Sequence, residues 1–129
     1  MLARDDSCQT PDKAACKDEP PAQDNYVTLE HLLAYDPMPA KLPAAKRSHV
    51  LGAQASIWGE FTANYQRVSY QAWPRLAAFA EAVWCEQAAR DKVDFLRRLR
   101  MHLPRLDAGG VERFHKADAQ LFADQPRPR

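Results

Sequence analysis

Residues 49–84 read HVLGAQASIWGEFTANYQRVSYQAWPRLAAFAEAVW and change character twice within 36 positions. The opening HVLGAQASIW is apolar and small-residue rich, bounded by a proline-rich connector before it and Gly59 after it, which predicts a buried strand over 49–58. Gly52, Ala53, Ala55 and Ser56 suit a crowded barrel interior or close approach of a ligand. A polar, aromatic turn, Trp58-Gly59-Glu60, follows. Asn64 then offers an N-cap for a helix beginning near Tyr65. Pro74 removes a backbone donor, which predicts a kink or a fresh helix start there. Strand, turn and helix in this order make a βα unit, in which binding groups sit just past the C-terminal end of the strand.

Outward from this stretch, Thr28 is placed to cap a short helix bearing Leu29, Leu32 and Leu33, and Asp36-Pro37 is placed to end it. MPAKLPAAKRS reads as a rigid connector. Beyond residue 74, Leu76, Phe79, Ala80, Val83 and Trp84 form an apolar stripe at helical spacing. Asp91 or Lys92 opens a last helix with Val93, Leu96, Leu99 and Leu103 on one face. Pro104 is expected to interrupt it and Gly109-Gly110 to stop it. Residues 1–26 have the composition of a polar loop or a disordered segment, and 115–129 that of a tail.

The chain has 129 residues, about half of a typical (β/α)8 barrel. With 18 basic and 17 acidic side chains, it has no excess charge to point to a nucleic-acid or membrane-surface partner. It has no apolar run of about 18 residues that would span a bilayer, and MLARDDSCQTPDK lacks the apolar segment of a signal peptide. Cys8 and Cys16 are separated by a distance a loop disulfide could close, but they read more readily as two unrelated thiols. Cys85 reads as a buried or half-buried small hydrophobe. His31, His49, His102 and His115 are scattered without ligand-like spacing, and no metal or cofactor is expected.

The sharpest constellation is Trp58 with Glu60. Indole packs against the C–H faces of sugar rings, and a carboxylate accepts from their hydroxyls. The other reading is a core tryptophan at a strand terminus followed by a solvated glutamate. Arg75 is placed to donate to the turn after the strand or to pair with Glu81. A single strand among helices leaves backbone groups unpaired on both of its edges, which implies that the chain is part of something larger.

TLEHLLAYDPMP (28–39), HVLGAQASIWGEF (49–61), WPRLAAFAEAVW (73–84) and DFLRRLRMHLPRLDAGGV (94–111) occur in the order found at the C-terminal end of the catalytic barrel of glycoside hydrolase family 20. The resemblance spans about residues 27–114. It implies an α/β fold: a C-terminal fragment of a (β/α)8 TIM barrel, mostly helical here, with one main strand near 49–58. It also implies part of a β-N-acetylhexosaminidase that removes terminal N-acetylhexosamine from β-linked glycans, with Trp58 stacking on the sugar and Glu60 binding its outer hydroxyls. Arg75 and Glu81 match scaffold positions. Full-length members commonly act outside the cytoplasm.

The family hydrolyses its substrate with help from the substrate's own acetamido oxygen, an aspartate orienting that group and the adjacent glutamate acting as acid. The one Asp-Glu here, Asp18-Glu19, lies in a proline-flanked KDEPP and lacks the family's glycine-rich strand-end context. No catalytic residue is therefore assigned to this chain, and the expected partners are an N-acetylhexosamine glycan and the remainder of the barrel. The rival reading is a non-catalytic helical protein that binds sugar weakly or packs on a partner chain.

Overall fold

The computed structural model describes residues 27–115. Four α-helices carry it: α1 Leu29–Ala34, α2 Tyr65–Ala72, α3 Arg75–Trp84 and α4 Lys92–Ala108, with short 3-10 turns at Ala44–His49, Gly59–Phe61 and Gln87–Ala89. The helix starts follow the local chemistry expected of them. Thr28 accepts from the His31 amide at 3.0 Å, Asn64 from that of Arg67 at 2.9 Å, and Asp91 from those of Val93 and Asp94. Each satisfies amides that the first turn of a helix leaves without partners.

The end of α4 is equally local. Gly110 adopts φ +71°, its amide donates to Asp107 O at 3.0 Å, and the Val111 amide donates back to Leu106 O at 3.0 Å. This pair of bonds closes a helix through a left-handed residue, and the Val111 side chain packs against the core that contains Leu106.

Leu29, Ala78, Phe95, Leu96, Leu99, Leu103 and Leu106 form the core, with Leu32, Leu33, Trp73, Ala77 and Val111 packed around it. Three expectations need correction. Pro104 lies inside α4 and does not interrupt it. The flanking Leu103 and Leu106 are both buried, and their packing offsets the roughly 3 kcal/mol that an interior proline costs. α3 packs on α1, and the residues that α3 buries fully are small, Ala78 and Ala82 being essentially inaccessible. Of the large stripe, Leu76, Phe79 and Val83 are half-buried while Ala80 and Trp84 are exposed. Small side chains let the two helix axes approach closely, which the size of an apolar residue does not foretell.

The third correction concerns the strand over 49–58. His49 ends the 3-10 turn, and among the described residues no strand is formed. The chain from Val50 (φ −85°, ψ 103°) to Trp58 (φ −83°, ψ 138°) begins and ends in extended conformation. Gly52, at φ +156°, departs from regular strand geometry. Leu51 is 95% exposed. A ladder needs a neighbour on at least one edge, and none of the other described segments supplies one.

Candidate functional site

The extended segment delivers its last residue, Trp58, to a tight turn. The Thr62 amide and hydroxyl both bond Gly59 O, at 3.2 and 3.0 Å, and close Gly59–Phe61 into one 3-10 turn. Two residues later Asn64 starts α2. Trp58 and Glu60 therefore stand on a short, internally bonded corner between extended chain and helix, as the sequence predicts for the end of a strand-like segment. Trp58 is 62% exposed, and Glu60 is exposed with no hydrogen bond or ion pair among the described residues. An indole and a carboxylate held open to solvent in this way are a stacking surface and an acceptor of hydroxyl protons.

Trp58 also borders a groove of about 460 Å³ between the extended segment and helices α1, α2 and α3. Leu32, Tyr35, Ile57, Leu76 and Phe79 supply its apolar walls, and Arg75 lies along it. Tyr35 and Phe79 face each other across α1 and α3, with ring centroids 6.4 Å apart. Among the described residues, neither Glu60 nor any other carboxylate lines this groove. The tryptophan and glutamate thus share a turn but not a cavity. Glu60 is the one acidic residue of this turn, and a carboxylate open to solvent there can accept hydrogen bonds from hydroxyl groups.

Arg75 stabilises the break between α2 and α3. Its Nε donates to Gln71 O at 2.9 Å and its Nη2 to the same oxygen, filling a carbonyl at the end of α2. Glu81 is held by Arg98, which donates through Nη2 at 2.6 Å and Nη1 at 3.1 Å and also reaches Asp94. The Glu81 and Asp94 carboxylates raise the Arg98 pKa further above the usual arginine range. Arg75 thus bonds the end of α2, and Glu81 takes Arg98 as a partner that its spacing alone does not give. Cys85 is half-buried. Cys8, Cys16 and Asp18-Glu19 lie outside the described residues.

Sequence reasoning missed Tyr35 and Phe79 as groove walls, because the α1–α3 packing that joins them is tertiary. It also missed Arg113, which is 5% exposed and grips Asp107 through Nε at 2.7 Å and Nη2 at 3.0 Å. That guanidinium holds the Asp107 carboxyl below the usual aspartate range. An arginine just beyond a Gly-Gly helix stop is the only signal, and it does not name its partner.

Comparison with known proteins places this geometry in context. Residues 8–87 match the family model described as glycosyl hydrolase family 20, catalytic domain. The beta-hexosaminidase of Porphyromonas gingivalis is 47% identical over 93 residues, covering 72% of this chain and 12% of that protein. The beta-N-acetylhexosaminidase of Cellulomonas fimi is 36% identical over 83 residues, covering 64% of this chain and 16% of that protein. Among solved structures, the exo beta-N-acetylglucosaminidase of Vibrio harveyi, crystallised with N-acetylglucosamine, superimposes with a TM-score of 0.64. It is 40% identical, with 74% of this chain and 16% of that one covered. The chain thus spans between an eighth and a sixth of the length of these relatives.

Proposed function

The chain belongs to glycosyl hydrolase family 20, and from that premise we propose that it forms one rim segment of the sugar pocket of a β-N-acetylhexosaminidase. The whole enzyme would remove terminal N-acetylhexosamine from β-linked glycans. In this reading Trp58 is the platform under the pyranose ring, and Glu60 accepts from the outer hydroxyls. The observation that carries it is the corner itself. Trp58, 62% exposed, ends an extended segment and stands two residues before an open carboxylate and six before the Asn64 cap.

The extended backbone at both ends of 50–58 supports a second element of the proposal. This segment becomes a barrel strand when strands of the same enzyme pair with its two free edges. The apolar walls of the groove beside it, Ile57, Leu76 and Phe79, then become the layer between barrel and helices. The orienting aspartate and acid glutamate of substrate-assisted cleavage are supplied by the remainder of the barrel.

The test is release of nitrophenol from nitrophenyl N-acetyl-β-glucosaminide. A complete catalytic domain containing residues 27–115 is expected to hydrolyse it, and residues 1–129 alone are expected to give the buffer rate. Hydrolysis by the 129-residue chain, with host enzyme excluded, would overturn the division of labour. An inactive complete domain that folds would overturn the activity.

A further inference from the structure

Glu60 has no hydrogen bond or ion pair among the described residues, so no partner of its own fixes where its carboxylate stands. Its place is set by the main chain of the Gly59–Phe61 turn, and the residue that closes this turn is Thr62. The Gly59 main-chain oxygen accepts twice from Thr62, from the amide at 3.2 Å and from the side-chain hydroxyl at 3.0 Å. Each bond lies at the long end of its range, so the closure draws on both.

The neighbouring residue fastens the turn from the other side. Phe61 is half-buried and lines the groove with Ile57 and Leu76, which ties the backbone to the helices. Thr62 is itself half-buried, and its β-branched side chain has little χ1 freedom to lose, so the hydroxyl is held on Gly59 at small entropic cost. Glu60 thus stands in a loop that Thr62 clasps and Phe61 anchors. Bonds from hydroxyls to a carboxylate are short and directional, and a carboxylate on a loosened turn forfeits part of what they contribute.

We propose that Thr62 is a positioning residue for the sugar site. Its hydroxyl clasps Gly59 and thereby sets the Glu60 carboxylate relative to the Trp58 indole. The inference rests on the sugar-pocket reading, in which those two groups meet the same ring. Thr62 touches no substrate in this role and acts through Glu60.

The experiment is a double-mutant cycle on kcat/KM for nitrophenyl N-acetyl-β-glucosaminide, in the complete enzyme that carries these residues. Thr62→Val keeps the branched shape and removes the hydroxyl. A loss of roughly three- to tenfold is expected, the worth of one hydrogen bond. Thr62→Ser, which keeps the hydroxyl, should restore most of it. In a Glu60→Ala background, Thr62→Val should change nothing further, because the group it positions is gone. A purely structural threonine would give the same loss in both backgrounds, and that result would overturn the proposal. So would wild-type kinetics in Thr62→Val when Glu60→Ala is impaired. Wild-type kinetics in Glu60→Ala itself would instead overturn the sugar-pocket reading, and the role of Thr62 with it.

Discussion

The Arg90 guanidinium donates to the main-chain oxygen of Tyr35 at 2.6 Å, joining residues 55 positions apart. The same side chain reaches Leu33 O at 3.1 Å, Ala82 O at 2.6 Å and Cys85 O at 3.1 Å. Four carbonyls left over at the ends of α1 and α3 thus share one cation, at the negative poles of two helix dipoles. The planar fork of arginine suits this task, and a lysine ammonium does not reproduce it.

Arg90→Ala should therefore destabilise the fold by about 2–4 kcal/mol, since several charge-assisted bonds to part-buried carbonyls are lost at once. Arg90→Lys should recover less than half of that. Urea denaturation followed by circular dichroism measures both. Wild-type midpoints in Arg90→Ala would show that the bonds contribute nothing net.

Gly110→Ala isolates a backbone effect. A methyl group there meets nothing within 4 Å, yet φ is +71°. The cost should be about 1–2 kcal/mol, from the left-handed conformation alone. Gly109→Ala, at φ −80°, is expected to cost less. Equal losses at the two positions in thermal unfolding would contradict this.

Low pH should weaken the helical unit. Arg98 and Arg97 lower the Asp94 pKa, and Arg113 lowers that of Asp107. In the unfolded chain both return to about 3.9 and bind protons at higher pH than in the folded one. Their contribution is present above that value and is lost as pH falls through the depressed folded values. Both groups are largely solvent-exposed, so the effect is modest. The expected reading is a drop in Tm below about pH 4 that is smaller in Asp107→Asn. A Tm that rises on acidification would reverse the sign.

What the sequence made legible was local. The Thr28, Asn64 and Asp91 caps and the Gly110 stop depend on groups within about five residues of one another, so residue type and spacing suffice. The Trp58–Glu60 corner was legible for the same reason. Arg90 was not, because its acceptors come from two helices brought together by packing. Nor was the choice of Ala78 and Ala82 as the buried face of α3. The segment 50–58 shows the limit from the other side. Its composition is that of a strand, but a strand is a relation between chains of hydrogen bonds, and the residues described around it provide no partner.

The most direct test of the sugar-pocket assignment is kcat/KM for nitrophenyl N-acetyl-β-glucosaminide in the complete enzyme that carries these residues. Glu60→Gln keeps the shape of the side chain and removes its charge, forfeiting hydroxyl bonds worth roughly 1.5–3 kcal/mol each. A loss of about ten- to a hundredfold is expected, with a comparable loss in Trp58→Ala as its platform goes. Unchanged kinetics in both variants, with the fold intact, would contradict the placement of Trp58 and Glu60 at the sugar.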